Sequence, residues 1–294
     1  MRPKSVSSCR SSAASRSDVR GAGRVLQVPD PMVDFVALTT SRPVAPGRFS
    51  LDVPEGWQQG RGAFGGFSLA VLVRAIESTE DVAERPLRSL TAELCGPLLP
   101  GPAEVSIEVL RRGSGQTTVA ARVVQEGAVI THAVGILARA RADTTTHREI
   151  PPPRLTPWKD VSPMAPQEWP TFAKFFEYRV TGPFPLSGHS SPVTENWVRL
   201  RSPCPKLDAA YLTALADATW PASFSVWTEP RPVGTVSFTL QLFPPFDGVA
   251  ADAPLYHRGQ VLVAADGYSV EQRQLWTEDG RLLALNHQTI ATIR

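Results

Sequence analysis

One acidic residue of the sequence lies in an apolar setting that could make it a base. Asp217 lies near the end of a helix predicted over 208–220, beside a stripe formed by Ala210, Ala214 and Ala218. An acid flanked by alanines on a mostly apolar helix is expected to be partly buried, and burial raises the pKa of a carboxyl group. Such a carboxylate is a better general base near neutral pH. The residues alone leave two other interpretations open: an acid that faces solvent, or one that pairs with a local arginine.

Two further polar side chains with possible chemistry lie in predicted strands. Thr235 begins the strand predicted over 235–243, in which polar and apolar residues alternate. Gln288 lies in the last predicted strand, over 282–294. A polar row of this kind is typical of the wet face of an antiparallel strand. Neither residue alone therefore identifies a site.

Several other catalytic and binding motifs are absent or out of context. The run from Gly60 to Gly65 matches G-x-G-x-x-G, but no apolar parallel strand precedes it and no βαβ alternation follows, so we expect no nucleotide site. The sequence has no G-x-S-x-G nucleophile elbow, and its five histidines show no metal-ligand spacing. Cys95 and Cys204 have no base beside them, which leaves a cysteine nucleophile unsupported. We therefore expect no metal and no cofactor.

Composition narrows the class of protein further. The chain of 294 residues has 30 basic and 28 acidic residues, and this near balance argues against a nucleic-acid-binding surface. No apolar run is long enough for a membrane span. Three scattered cysteines without a C-x-x-C pair favour a reducing, cytoplasmic location. Residues 1–26 are rich in serine and arginine and lack the apolar segment of a secretory signal, so we expect a disordered tail over 1–30, with a transit leader as the alternative.

The predicted elements occur twice in a similar order. The first copy has a strand, a buried helix and four more strands, at 48–53, 65–78, 88–94, 103–110, 117–125 and 129–139. The second has two strands, a helix and four more strands, at 172–180, 193–201, 208–220, 235–243, 255–264, 269–276 and 282–294. A proline-rich linker with extended character separates them. These patterns predict a fused pair of similar halves, with domains at 31–140 and 171–294 and a linker at 141–170.

This repeated order resembles the double hotdog fold, an α+β architecture of two tandem hotdog repeats. Each repeat wraps a curved antiparallel sheet around a central buried helix. Particular segments are similar to those of the acyl-CoA thioesterase II (TesB-like) family, within the thioesterase-like superfamily. The segments are Gly65-Gly66, Arg88–Thr91, Gly96–Pro102, Val109–Gly113, Asn196–Arg201, Tyr211–Asp217 and Leu275–Arg281. The resemblance covers about residues 33–294.

The resemblance assigns roles to three residues. The family uses an aspartate on the second helix, a threonine at the start of the next strand and a glutamine on the last strand. These match Asp217, Thr235 and Gln288. The implied reaction is hydrolysis of a fatty acyl-CoA, or a related acyl thioester, to the free acid and CoA by direct attack of water. Asp217 would activate or orient the water, and the other two residues would hold it. Ser237 departs from the family, which often carries an acid there.

Attack on a thioester also requires donors for the negative charge on the carbonyl oxygen. Amides at a helix N-terminus can supply them. By analogy with hotdog enzymes, Gly65 and Gly66 at the start of the first helix are the candidates. The alternative is that these glycines only let the helix pack closely.

The repeat provides an internal comparison. Gln288 corresponds to Ala133 or Gly135, and Asp217 corresponds to apolar residues within 67–76. The polar trio therefore occurs in one copy only. A fused pair with one working site would show this pattern, although drift would produce it too.

The expected partners follow from these inferences. The resemblance implies an acyl-CoA small-molecule substrate and a role in lipid metabolism, and paired sheet edges favour a homo-oligomer. Two alternatives are a non-catalytic protein that binds acyl thioesters and an enoyl-thioester hydratase. The hydratase requires an Asp-x-Asn-Pro-x-His run, which this sequence lacks.

Overall fold

The computed structural model describes residues 33–142, 145, 147–165 and 170–293. The tail predicted over 1–30 lies outside these residues. Within them the α-helices are α1 (Phe35–Thr39), α2 (Gly65–Glu77) and α3 (Ala209–Asp217). Short 3-10 turns lie at Trp158–Asp160, Thr171–Phe175 and Ala222–Ser225.

The strands divide between the two halves of the chain. The first half contains β1 (Arg42–Ala45), β2 (Arg48–Val53), β3 (Gln58–Gln59), β4 (Gly62–Ala63), β5 (Leu87–Leu94), β6 (Gly101–Arg112), β7 (Gln116–Gln125) and β8 (Ala128–Ala138). The second half contains β9 (Phe176–Val180), β10 (Val193–Leu200), β11 (Val233–Leu242), β12 (Leu255–Ala265), β13 (Tyr268–Trp276) and β14 (Leu282–Thr292).

Twelve of these strands form one antiparallel sheet in the order β1-β2-β6-β7-β8-β5-β11-β14-β13-β12-β10-β9. The two halves join where β5 pairs with β11, and Thr91 lies opposite Thr239 at the middle of this pairing. The separate hairpin of β3 and β4 lies directly before α2. Each half therefore contributes one antiparallel half-sheet and one long helix, which is the repeated arrangement that the sequence predicted.

The two long helices pack against each other inside the sheet. The residues of α2 are apolar almost all round and the helix is buried from Gly66 to Val73, which explains why its sequence shows no polar face. Asp208 caps α3 by accepting a hydrogen bond from the amide of Tyr211, and it also pairs with Arg74 of α2 at 2.9 Å. This ion pair joins the end of α2 to the start of α3.

Two predicted boundaries are corrected. The helix predicted over 208–220 ends at Asp217, where the carbonyls of Ala216 and Ala218 accept hydrogen bonds from the side chains of Arg273 and Tyr178. The strand predicted over 172–180 is a 3-10 turn up to Phe175 and a strand only afterwards.

The reason for the 3-10 turn lies in the aromatic core. Phe172 stacks on Phe64 and Phe175 stacks on Trp57, with ring centroids 4.3 and 4.4 Å apart. Residues three apart in a strand point to opposite faces, whereas in a 3-10 turn they share one side. The turn therefore lets both rings reach the same core.

The proline-rich stretch between the halves does more than connect them. Part of it packs on the outer face of the second half-sheet, where Trp158 lies edge-on to Trp197. The indole of Trp197 donates to the carbonyl of Thr156 at 2.9 Å. Two elements that the sequence did not predict, α1 and β1, precede the first predicted strand. In the described part of the chain, no helix has the length and apolar character needed to cross a membrane.

Candidate active site

The structure places Asp217 at the contact between the two helices. It is the last residue of α3 and only 9 % exposed. One carboxylate oxygen, Oδ2, accepts a hydrogen bond of 2.7 Å from the amide of Gly66 in the first turn of α2. The other, Oδ1, accepts a hydrogen bond of 3.0 Å from Nε2 of Gln288 on β14. Both halves of the chain therefore hold this one side chain.

Asp217 also completes the start of α2. The residue before that helix, Phe64, has no side chain that can cap it. The amides at a helix N-terminus have no partner within the helix and carry partial positive charge. A carboxylate from α3 thus serves as the cap of α2, and the helix in turn stabilises the negative charge.

A series of hydrogen bonds fixes the orientation of Gln288. The amide nitrogen of Asn286 donates to the carbonyl of Thr239 at 2.7 Å, so its oxygen faces Gln288. The amide nitrogen of Gln288 donates both to this oxygen and to Asp217, each at 3.0 Å. The amide oxygen of Gln288 must therefore point the other way, where it accepts from the hydroxyl of Thr235 at 3.0 Å.

A β-bulge turns Thr235 towards this network. In the pairing of β11 with β14, Thr235 lies opposite Ile290 while Ser237 lies opposite Thr289, so Val236 is the extra residue. Phe238 faces inward, and side chains in a regular strand alternate between its two faces. Without the extra residue, Thr235 would therefore lie on the outer face. The bulge re-aims the threonine, as bulges near active sites often do. The three predicted polar residues are thus brought together by one irregularity in the strand.

The two glycines at the start of α2 are needed for different contacts. A Cβ on Gly65 would lie 2.7 Å from Oδ2 of Asp217, and one on Gly66 would lie 2.9 Å from the carbonyl of Ala214. Gly65 therefore leaves room for the carboxylate and Gly66 for the close approach of α3. The amide of Gly66, predicted as an oxyanion donor, is engaged by Asp217 in this structure.

The two halves of the chain match the two domains of one known family. The profile of the acyl-CoA thioesterase N-terminal domain matches residues 53–138, and that of the acyl-CoA thioesterase C-terminal domain matches residues 151–292. The chain belongs to the acyl-CoA thioesterase family. No curated protein matches the chain.

Solved structures share the fold of this thioesterase-family chain. A conserved hotdog-fold protein of unknown function from Alicyclobacillus acidocaldarius is 22 % identical, with a TM-score of 0.81 over 88 % of this chain and 98 % of the other. A putative thioesterase II from Thermobifida fusca is 24 % identical, with a TM-score of 0.74 over 90 % and 99 %. The acyl-CoA thioesterase II TesB2 from Mycobacterium marinum is 20 % identical, with a TM-score of 0.72 over 88 % and 98 %. The predicted double hotdog fold is confirmed.

The electrostatic setting of Asp217 combines opposing effects. Burial is the largest, and it raises the pKa of this carboxyl above its ordinary value. The guanidinium of Arg273 and the hydrogen bonds from Gln288 and Gly66 act against burial and favour the charged form. Glu271 adds a smaller effect that raises the pKa. The candidate site therefore contains a buried but well-partnered carboxylate of increased basicity.

Asn286 and Arg273 were not among the residues predicted from the sequence. Asn286 lies two residues before Gln288, so the alternation of a strand puts both on the same face. The residues around that face are apolar, so two amide side chains on it are unusual. This pairing was the signal in the sequence that could have identified Asn286. Arg273 gave no comparable signal, since arginines in strands are common on exposed faces.

Proposed function

We propose that the chain hydrolyses fatty acyl-CoA, or a related acyl thioester, by direct attack of a water molecule that Asp217 activates. The observation that carries this proposal is the continuous hydrogen-bonded series from Thr235 through Gln288 to Asp217. It holds a buried carboxylate in one orientation beside a helix N-terminus. General bases are most effective when they are positioned in this way and have a pKa raised towards the working pH.

The direction of each hydrogen bond indicates how the water is held. The hydroxyl of Thr235 donates its hydrogen to Gln288, so its lone pairs remain available as acceptors. A water between Thr235 and Asp217 can then donate one hydrogen to each. This arrangement leaves an oxygen lone pair of the water for attack on the thioester carbon.

The proposed reaction balances without a further reactant. The water oxygen bonds to the carbonyl carbon while one of its protons passes to the carboxylate of Asp217. The tetrahedral intermediate then collapses, the carbon–sulfur bond breaks, and Asp217 returns the proton to the sulfur of CoA. The products are the free acid and CoA, and the carboxylate is regenerated.

We assign the developing negative charge on the carbonyl oxygen to the start of α2. Because Gly66 already donates to Asp217, the amide of Gly65 is the remaining candidate of the predicted pair. It is the first amide of the helix, where donors have no partner within the helix and the macrodipole favours an anion.

The test is thiol release from short, long and aromatic acyl-CoAs by the full chain. We expect turnover of at least one of these substrates. A single turnover in ¹⁸O-labelled water, with protein in excess, then tests direct attack. Each product acid should carry one labelled oxygen. A first-turnover product without the label would contradict direct attack, because its oxygen would come from the protein.

An absence of turnover would overturn the proposal. If the same acyl-CoAs bind, as measured by calorimetry, without being hydrolysed, the chain is a non-catalytic binder of acyl thioesters. If release of thiol is accompanied by hydration of an enoyl-CoA at a higher rate, the hydratase alternative is favoured.

We further propose that the thioesterase acts in cytoplasmic lipid metabolism as a homo-oligomer, with domains at 31–140 and 171–294 and a linker at 141–170. Free thiols at Cys95 and Cys204 suit a reducing compartment. The sheet ends in β1 and β9, whose edges could pair with a second copy. Light scattering on the purified chain tests the oligomer, and a monomer at all concentrations would contradict it.

A further inference from the structure

A buried ion pair lies directly beside Asp217. Arg273 and Glu271 project from β13 towards α3, and they are 2 % and 0 % exposed. Burying two charges costs free energy that their mutual attraction does not always repay. The sheet itself does not need them, because Val119 and Ala121 occupy the equivalent register of β7 in the other half. The pair therefore calls for an explanation outside the fold.

Arg273 forms hydrogen bonds with the backbone at the end of the helix that carries Asp217. Its Nη1 donates to the carbonyl of Ala216 at 3.1 Å and to the carbonyl of Thr219 at 3.2 Å. These carbonyls lie on either side of Asp217 in the sequence: Ala216 belongs to the last turn of α3, where carbonyls have no partner within the helix, and Thr219 lies two residues beyond its end. The same Nη1 lies 3.9 Å from Oδ1 of Asp217. The guanidinium is close enough to stabilise the carboxylate but is not hydrogen-bonded to it.

Glu271 holds Arg273 in this position. Its Oε1 accepts from Nε of Arg273 at 2.8 Å, and its Oε2 accepts from the amide of Ala222 at 2.8 Å. Gly259 on the neighbouring strand makes room for the carboxylate, since a Cβ there would lie 2.9 Å from Oε1. The arginine is thus tied on one side to an acid and on the other to the helix end. Its freedom to close onto Asp217 is restricted.

We propose that Arg273, held by Glu271, is the positioning residue for Asp217: it anchors the end of α3 and supplies one partly neutralised positive charge beside the carboxylate. This inference rests on the proposed function of Asp217. A direct salt bridge would make the carboxylate a weaker base, whereas removal of the positive charge would raise the pKa of Asp217 further. With Arg273 paired to Glu271, the positive charge lies 3.9 Å from the carboxylate of Asp217 and stabilises it without a direct hydrogen bond.

The other groups that face Asp217 or Arg273 do not provide this charge. From β9, the hydroxyl of Tyr178 donates to the carbonyl of Ala218 at 2.7 Å and remains neutral. From β12, burial and Arg273 lower the pKa of His257 well below its ordinary value, so this imidazole is neutral too. The first turn of α2 contributes amides, and β14 contributes the amides of Gln288 and Asn286. Arg201 is a further positive group, but its electrostatic effect falls on Tyr178, whereas Arg273 is the positive group that acts on Asp217.

We expect two near-isosteric substitutions in the Glu271–Arg273 pair to move the pKa of Asp217 in opposite directions. Arg273→Gln removes the positive charge, so the pKa of Asp217 should rise and the acid limb of the kcat/KM profile should move up by about one pH unit or more. Glu271→Gln removes the negative charge, so the same limb should move down by a smaller amount. Arg273→Lys keeps the charge but not the planar contacts with two carbonyls. We expect it to retain the wild-type limb with a lower kcat.

Glu177 and Arg179 provide a matched control. They form the same acid–arginine pair two residues apart in a strand of the same half, with a distance of 2.8 Å, but away from Asp217. Glu177→Gln and Arg179→Gln should leave the acid limb unchanged. Far-UV circular dichroism and thermal unfolding of all five variants check that each has folded.

The decisive experiment combines the pH profiles with ¹³C NMR titration of the aspartate carboxyls, in which Asp217 is assigned by its loss in Asp217→Asn. Opposite displacements of the Asp217 titration in Arg273→Gln and Glu271→Gln support the proposal. Folded variants that lose activity while this titration stays at its wild-type position would overturn it. If the wild type hydrolyses no acyl thioester, the proposed function fails, but the NMR titration still tests whether the pair controls Asp217.

Discussion

The two halves of this chain place different residues on the same framework. The register of the sheet equates Gln288 with Gly135 and Asn286 with Ala133. In the second half, Gln288 and Asn286 lie opposite Phe238 and Leu240 of β11. In the first half, Gly135 and Ala133 lie opposite Leu90 and Ala92 of β5. The same register equates five polar residues of the second half with apolar ones or glycine in the first. They are Thr235, Glu271, Arg273, Asn286 and Gln288, against Leu87, Val119, Ala121, Ala133 and Gly135.

The bulge is shared even though the polar residues are not. In β5 the register shifts between Leu87 and Ser89, at the position where β11 shifts between Thr235 and Ser237. In the first half the inward-facing residue is a buried leucine, and Ile76 fills the space beside Gly135. The backbone irregularity is thus a property of the fold, and the second half uses it to aim a hydroxyl.

This comparison separates what the fold needs from what the reaction needs. An apolar core forms in the first half without any of these polar groups, so they are not required for the architecture. Buried polar groups stabilise a fold less reliably than apolar packing does. Their presence in one half only supports the proposal that they serve a reaction, in keeping with the trade-off between stability and activity at active sites.

Replacing Gln288 by an apolar residue, as in the equivalent position of the first half, should have a large effect on kcat. Gln288→Leu removes the amide that orients Asp217 and leaves Asn286 without its partner. A misplaced catalytic group can cost about 100-fold in rate, and we expect a fall in kcat of this order. Gln274→Leu, at another buried glutamine on the neighbouring strand, is the control and should retain kcat. Equal losses in both variants would show a general effect on folding.

A methyl group at the helix start should have the next largest effect. Gly65→Ala puts a Cβ 2.7 Å from Oδ2 of Asp217, so the carboxylate must move. We expect kcat to fall about tenfold or more, because displacement of a catalytic group is costly. Gly96→Ala is the matched control, since its Cβ would meet only Ile130, at 3.7 Å. Unchanged kcat in Gly65→Ala would argue against Asp217 acting in its observed position.

Removal of one hydroxyl should have a more moderate effect. Thr235→Val keeps the shape of the side chain but loses the hydrogen bond to Gln288 and the acceptor for water. One neutral hydrogen bond contributes about 1 kcal/mol, so we expect several-fold loss of kcat/KM. Thr235→Ser should restore most of the activity. A serine variant as poor as the valine variant would show that packing, not the hydroxyl, matters at the bulge.

The smallest effect on activity is expected in the first half, at Glu77. Burial, with a contribution from Asp208, raises the pKa of this carboxyl to about 7. Because the folded value exceeds the unfolded one, the group destabilises the fold as the pH rises above about 4.5 and has its full effect above about 7. Glu77→Gln should therefore raise the free energy of unfolding at pH 8 by about 1–3 kcal/mol, and much less at pH 5. Melting temperatures measured at the two pH values check this. Equal gains at both pH values would contradict this assignment, and kcat should not change.

Much of the architecture could be predicted from the sequence because its signals are local. The apolar run of α2 and the strands separated by glycine turns lie close to their predicted positions. Gly127 and Gly280 have positive φ angles and lie in the turns between β7 and β8 and between β13 and β14. The boundary near Phe172 was wrong because its conformation depends on contacts with Phe64 and Trp57, which are distant in the sequence.

The site was predictable in its residue types but not in its geometry. Alternation along β11 puts Thr235 with the outward-facing Ser237, and only the bulge at Val236 separates them. A bulge depends on the pairing of two strands, so the sequence of one strand does not reveal it. The contact of Gly66 with Asp217 likewise joins residues 151 positions apart.

The most direct test of the difference between the halves is the activity of Asp217→Asn compared with Asp208→Asn. Both residues lie at the ends of α3 and both are buried, so the same substitution is made in similar surroundings. An asparagine at 208 can still cap the helix, and we expect this control to keep kcat within about threefold. Asp217→Asn removes the base and should lower kcat about 100-fold or more, with acyl-CoA binding and the fold intact. Retention of wild-type kcat by Asp217→Asn would contradict the assignment of catalysis to the polar half.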